Sequence, residues 1–290
     1  MNVFSLLKSY VPFCVKDKIK VYIIYLYYKF NRKCKAFPIK YHEAADFLYK
    51  YGKTMYPSSF VLKYKNIYKK IKVFQSDSGM KYVIHNTHQL YFPENMSDIC
   101  IKKMYQSLIT EQDVDSPHVY EYLDFRIKKG DVLFDIGAAE GIFTLDHIEE
   151  IEHAYLFESD RNWIKALEAT FHPWRDKITI IPKYVSNENT DMSVSLDKFV
   201  HDINCHIDFI KMDIEGAELM ALEGCRKTLS DSNVRISVCT YHKKEDEKVI
   251  GGFLESLGYR LIKSGRLIYL GSYKHSDVPF FRLGVLYAVK

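Results

Sequence analysis

Residues 132–144 read VLFDIGAAEGIFT, an apolar run that ends in an acid, breaks into a small-residue turn and resumes as an apolar pattern. A run apolar at every position suits a strand buried on both faces. Such strands occur in parallel sheets whose faces are covered by crossover helices. The rest of the chain repeats the alternation. Strands are predicted at 132–135, 154–158, 178–182, 207–213 and 235–241, with helices at 142–151, 161–170, 217–229 and 244–257. Three further strands, at 259–263, 266–270 and 284–289, close the pattern, and the last pair is expected as an antiparallel edge. The predicted fold is therefore a Rossmann-like α/β three-layer sandwich with a mostly parallel sheet.

Upstream, residues 73–92 read as short strands separated by turns, a small β appendage. A helix is predicted at 99–109, and another starts at 116–120, with Ser116 as its cap and Pro117 in its first turn. Three parts are expected: a basic module at 1–75, the appendage with linking helices at 76–125, and the main domain at 126–290. Residues 1–75 hold sixteen Lys or Arg against three acids, an excess of thirteen, although the whole chain is only +4. Lys16, Lys18, Lys20, Lys29, Arg32, Lys33 and Lys35 flank the aromatic run 22–28, as in helical segments that lie against an anionic membrane surface. Contact with such a surface through residues 1–40 is one expectation, and a solvated basic helix with inward aromatics is the other. RNA is a further partner to weigh.

Several classes are disfavoured. The six cysteines are scattered without a C-x-x-C pair, which is reduced, cytosolic usage and not a zinc or disulfide framework. The first twenty residues carry charges throughout and lack signal-peptide form, and the eight-residue apolar run at 21–28 is far short of the ~20 residues a membrane span needs. The expected location is cytoplasmic, with contact at the inner face of the membrane as the alternative that the basic segment adds.

The turn after the first strand is a nucleotide-cofactor loop. Asp135 ends the strand, and Gly137 and Gly141 let the backbone approach a ligand and leave amides for it. Dinucleotide turns want G-x-G-x-x-G, whereas here the spacing is Asp-x-Gly-x-x-x-Gly, with Ala139 at the middle glycine and Glu140 inside the turn. A pyrophosphate would be repelled by that carboxylate, but a sulfonium bearing an ammonium would not, so S-adenosylmethionine is the expected cofactor. Glu158 ends the second strand 23 residues after Asp135, where a carboxylate can accept ribose hydroxyl protons. The candidate cofactor set is Asp135, Gly137, Ala138, Glu140, Gly141, Glu158, Ser186 and Asp213.

Catalytic candidates sit at the carboxyl ends of later strands, which face the crevice. Asp213 and Glu215 follow the fourth strand, and Lys211 shares a face with Asp213. Glu215 and Glu218 also read as first-turn acids of a helix. His242, after the fifth strand, is the candidate general base, with Lys211 as the substitute if burial lowers its pKa. His118 is expected to be a packed, hydrogen-bonded residue. Asp213 and Glu215 are hard oxygen ligands that would suit magnesium, but a metal-free mechanism is preferred.

The segments VLFDIGAAEG, YLFE, Ser195-Leu196-Asp197 and IDFIKMDIEGAE together resemble the FkbM family of S-adenosylmethionine-dependent methyltransferases, over about 116–290. The resemblance implies a class I methyltransferase fold and O-methylation of a hydroxyl, often on sugars of polysaccharides or glycoconjugates. It implies cofactor contacts for Asp135, Gly137, Gly141 and Glu158, and places Asp213 and Glu215 beside the substrate. It leaves the base open and has no counterpart for residues 1–75. RNA methylation, a non-catalytic cofactor-binding scaffold and an NAD oxidoreductase stand as alternatives. No Asn-Pro-Pro-Tyr or Pro-Cys motif for base methylation is present.

Overall fold

The computed structural model describes residues 13–32, 37–270 and 280–290. They divide into two compact units, one holding 64–264 with 285–290 and the other the described residues up to 63 with 265–284. This division differs from the one expected at 75 and 125, because a C-terminal excursion belongs with the N-terminal helices and the β appendage belongs with the main sheet.

In chain order the strands are β1 (Phe74–Gln75), β2 (Lys81–His85), β3 (His88–Phe92), β4 (Val132–Ile136), β5 (His153–Phe157), β6 (Ile178–Ile181), β7 (Tyr184–Val185), β8 (Ser193–Val194), β9 (Phe209–Met212), β10 (Arg235–Cys239), β11 (Arg260–Lys263), β12 (Leu267–Tyr269), β13 (Phe281–Leu283) and β14 (Val285–Val289). The main sheet has seven strands in the order β11-β14-β10-β9-β4-β5-β6. Strands β10, β9, β4, β5 and β6 run parallel, and β14 is antiparallel to both β10 and β11. It is a Rossmann-like sheet, and order reverses at β4, where β5 continues to one side and β9 to the other. Ligands of open α/β sheets bind at such a reversal, outside the carboxyl ends of the strands.

Hydrophobic burial holds this unit together. Leu133, Phe134, Ile136, Ala154, Leu156, Phe209, Ile210, Met212, Ile236 and Val238 are all buried, and each large side chain so enclosed contributes ~1.5–3 kcal/mol. The appendage is a three-stranded antiparallel sheet, β1-β2-β3. It is tied to the main sheet's first crossover by Asp146, which accepts from His85 Nε2 at 2.7 Å and from Asn86 Nδ2 at 2.9 Å.

Four local expectations change. The helix predicted at 142–151 is only Ile142–Asp146. The one predicted at 217–229 splits into Glu218–Glu223 and Arg226–Asp231, because the chain after β7 presses on the break: a Cβ at Gly224 would stand 2.1 Å from the Ser186 carbonyl oxygen. Residues 116–120 are not helical but form a fully buried loop, in which Ser116 Oγ accepts from the His118 amide at 3.0 Å. The antiparallel partner of β14 at the sheet's end is β11, while β12 pairs with β13 elsewhere.

The other unit contains helices Phe13–Phe30 and Ile39–Tyr51 and the β12–β13 ribbon. Val21, Ile24 and Tyr28 recur at helical spacing on its inner face and pack with Ala44, Ala45, Leu48, Tyr269 and Phe281. Tyr22 and Phe30 face outward, so the aromatic run serves both surfaces. No helix among the described residues is long and apolar enough to cross a membrane.

Candidate active site

The register of β4 against β9 sets Asp135 opposite Lys211. Both side chains are buried, and Lys211 Nζ lies 2.9 Å from Asp135 Oδ1 and donates to the Gly137 carbonyl at 2.6 Å. Thr144 Oγ1 donates to the other Asp135 oxygen at 2.7 Å. Asp135 therefore braces the loop from below and is 1% exposed. Burial alone would lower the Lys211 pKa, but the Asp135 and Asp213 carboxylates outweigh it and hold the ammonium above its usual value. The condition under which Lys211 would replace His242 as base is not met.

The loop that follows is tight. Gly137 has φ +77°, and a Cβ there would stand 2.0 Å from the Asp213 carbonyl oxygen. Ala139 takes a left-handed φ of 46°. Most of the loop amides do not await a ligand. Those of Gly137 and Ala138 donate to the Phe157 carbonyl at 3.0 and 3.1 Å, that of Ala139 to Glu158 Oε2 at 2.9 Å, and that of Gly141 to the Ala138 carbonyl at 2.8 Å. The expectation of free amides at these positions is corrected accordingly. A Cβ on Gly141 would meet Leu167 and Phe171 at 2.7 Å, so this glycine serves packing against the helix Arg161–Phe171.

A cleft of about 580 Å³ opens above the loop, within the range of ~300–1,000 Å³ usual for cofactor sites. Gly137, Ala139, Glu158, Ser186, Asp213 and Glu215 line it with apolar Ile136, Phe157, Trp163, Ile214 and Met220. Glu158 Oε1 accepts from the Ser159 and Asp160 amides at 2.7 and 2.8 Å. With Ala139 on Oε2, three of about four acceptor sites are committed and one is left open toward the cleft.

Ala138 and Glu140 instead line a smaller cavity of about 80 Å³ with Glu111, Tyr120, Asp135 and Lys211. The two cavities share Gly137, Ala139 and Asp213. Burial pushes the Glu140 carboxyl up to about 8, with Lys211 pulling the other way. Below that pH it is neutral, so repulsion of a pyrophosphate falls to the carboxylates of the larger cleft.

Asp213, just past β9, is the hub. Tyr120 donates to its Oδ2 at 2.9 Å, His118 Nε2 lies 3.3 Å from the same oxygen, and His242 Nε2 lies 3.4 Å from Oδ1. Burial would raise its pKa, but His118, Lys211 and His242 hold it well below the usual carboxylate range. His242 is gripped from the other side by Glu218 Oε1, 2.8 Å from Nδ1, and Glu215 Oε2 stands 3.6 Å from Nε2. Burial works against the imidazolium, yet Glu218, Asp213 and Glu215 together raise the His242 pKa above its ordinary value. His118, buried and 3.0 Å from the Tyr241 hydroxyl, is also raised, by Asp213. Asp213, Glu218 and His242 offer ligand atoms within 4.8 Å of one another, as do His118, Asp213 and Cys239.

The structure thus brings Asp213, Glu215 and His242 together, and puts Gly137, Glu158 and Ser186 on one cleft. Tyr120, His118 and Glu218 are additions. Tyr120 contacts a residue 93 positions away, and no local pattern carries that. Glu218 had a signal in its place in the DIEGAE segment, which reads equally well as a helix start.

Residues 135–261 match the family model of the methyltransferase FkbM domain. The match covers 127 of the 290 residues, and the cofactor that such a domain implies is S-adenosylmethionine. No curated protein matches the chain. Among solved structures it is similar to methyltransferase FkbM from Methylobacillus flagellatus, at 20% identity and TM-score 0.47, over 66% of this chain and 53% of that one. It is also similar to SMU.1697c, a putative methyltransferase from Streptococcus mutans in complex with SAH, at 10% identity and TM-score 0.38, over 57% and 90%. A third is Trm5b from Pyrococcus abyssi, at 13% identity and TM-score 0.42, over 76% and 62%. The chain spans about half the length of the Methylobacillus protein. The cleft's apolar walls and its Glu158, Asp213 and Glu215 carboxylates fit a cationic sulfonium cofactor.

Proposed function

We propose that the protein is an O-methyltransferase whose acceptor is a hydroxyl of a neutral sugar in a polysaccharide or glycoconjugate. The observation that carries this reading is the charge of the cleft, where Glu158, Asp213 and Glu215 stand against Lys183 among the lining side chains. A phosphodiester backbone needs the opposite sign. A polyol needs closely set hydrogen-bonding groups, which Asp213 and its neighbours supply.

When bound, S-adenosylmethionine supplies a methyl group on a positively charged sulfur. Glu158 would accept a hydrogen bond from a ribose hydroxyl of the cofactor, Ser186 would offer a hydroxyl on the cleft wall, and Gly137 and Ala139 would form part of the floor. Asp213, held by Tyr120 and His118, accepts from the acceptor hydroxyl and orients it. His242 takes the proton at Nε2 as the oxygen attacks. Alignment of this kind contributes ~7–11 kcal/mol, and a positioned base ~10²–10⁴-fold. The mechanism needs no metal.

The test is incubation of purified protein with methyl-labelled S-adenosylmethionine and either neutral oligosaccharides or RNA. Label in a sugar hydroxyl supports the reading. Label in RNA, or cofactor binding without transfer to either, replaces it with the nucleic-acid or scaffold alternative.

The N-terminal unit supports peripheral contact with an anionic membrane. Lys18, Tyr22, Lys29 and Tyr49 are exposed on it, Tyr25 stacks on Tyr49 at 4.2 Å, and Lys29 lies over the Tyr25 ring. Residues 1–12 and 33–36 of the segment expected to make this contact lie outside the described residues. Salt-sensitive sedimentation with anionic but not neutral vesicles checks the contact.

A further inference from the structure

Glu218 opens the helix Glu218–Glu223 and is 1% exposed. Its Oε1 accepts from the Ile214 amide at 3.1 Å and the Gly216 amide at 3.2 Å, and lies 2.8 Å from His242 Nδ1. One oxygen therefore holds the turn after β9 by two hydrogen bonds and stands at ion-pair distance from His242, three residues past β10. The turn needs tying, since Glu215 and Gly216 are both left-handed, with φ of 54° and 99°, a conformation that disfavours a side-chain-bearing residue.

Resting on the proposed role of His242 as base, we infer that Glu218 is the positioning residue that fixes its tautomer and aims its Nε2 at the acceptor. Carboxylate oxygens stand near both ring nitrogens, but the buried Glu218 is the nearest, 2.8 Å from Nδ1 against 3.4 and 3.6 Å at Nε2, so the proton of the neutral ring is held on Nδ1 and exchange falls to Nε2. Nε2 is the nitrogen that faces Asp213 and Glu215, at 3.4 and 3.6 Å, and both of these line the cleft. The arrangement is the logic of a base oriented by a buried carboxylate. The proton balance is simple: the acceptor O–H breaks as the O–CH₃ bond forms, the proton passes to Nε2, and the imidazolium is stabilised by Glu218 behind it and Asp213 beside it. Asp246 is the other carboxyl coupled to this ring.

The experiment compares wild type, Glu218→Gln and His242→Ala in the intact chain, reading kcat, KM for S-adenosylmethionine and the imidazole ¹⁵N shifts of His242. Loss of kcat by on the order of 10²-fold or more in Glu218→Gln, with KM for the cofactor unchanged, supports the inference. So does a wild-type spectrum that places the neutral-form proton on Nδ1 and loses that preference in the variant. If His242→Ala loses turnover but Glu218→Gln keeps it, the inference falls and the base stands. If both keep it, the base reading falls first and the inference with it. Should Glu218→Gln fail to fold, the wild-type spectrum decides alone: a neutral-form proton on Nε2 overturns the inference.

Discussion

A Cβ at position 137 would lie 2.0 Å from the carbonyl oxygen of Asp213. The end of β4 and the end of β9 are thus pressed together at a point where only glycine fits, and that contact closes the floor shared by both cavities. With φ at +77° the position is strained for any side chain. Gly137→Ala is expected to cost ~1–3 kcal/mol of stability, as overpacking does, and to abolish cofactor binding. Urea denaturation and calorimetric titration with S-adenosylmethionine check this, and wild-type values in both would remove the contact's importance.

The Lys211–Asp135 pair supports that floor. Lys211→Met leaves an uncompensated carboxylate in the interior, which typically costs ~3–5 kcal/mol. The double variant Lys211→Met with Asp135→Asn should recover much of the loss. A single variant as stable as wild type, measured by chemical denaturation, would mean that Asp135 is compensated by Thr144 alone.

Glu140 is expected to couple cofactor binding to protons. Its carboxyl titrates at about 8 in the free protein, so it is neutral at pH 7. Arrival of a cation favours ionisation, and binding at pH 7 should release a proton. Titrations in two buffers of different ionisation enthalpy should then give different apparent heats, and Glu140→Gln should erase the difference. Stability follows the same sign. An acid with a raised folded pKa contributes stability that is present below its unfolded value of ~4.3 and is lost as pH rises toward 8, so Glu140→Gln should be the more stable protein at neutral pH.

With His242 as the proposed base, its upward shift should set the pH profile of turnover. Only the neutral imidazole accepts a proton, and Glu218, Asp213 and Glu215 prolong the charged form. The acid limb of kcat should therefore have its midpoint above the ordinary imidazole value of ~6.5. His242→Ala should lose turnover by ~10²–10⁴-fold and keep cofactor affinity. An acid limb near 4 would point to a carboxylate base. For stability, the charged His242 contributes most below ~6.5, and this is lost as pH rises through the folded value.

The parallel strands were readable because runs such as VLFDI and ITII leave no polar face, and each is found within about two residues of its predicted place. The tight turn after β4 was readable from glycine spacing, and Gly137 and Gly141 are both left-handed. What local pattern could not carry was distance. The Gly224 break depends on Ser186, 38 positions upstream. The buried loop at 116–120 mimics a helix start, with a cap and a proline, but its side chains are drawn inward by partners such as Asp213 and Tyr241. The amides of Gly137 and Ala138 looked available only because Phe157, their acceptor, lies on another strand.

Strand β14 sits between β10 and β11 although it is made after both. The chain leaves this unit at residue 264, builds part of the other one, and returns at 285. On the ribosome, β10 and β11 must therefore wait with open hydrogen-bonding edges until the inserting strand emerges. Such edges invite pairing with other chains, so the nascent chain is exposed to mispairing until β14 is made.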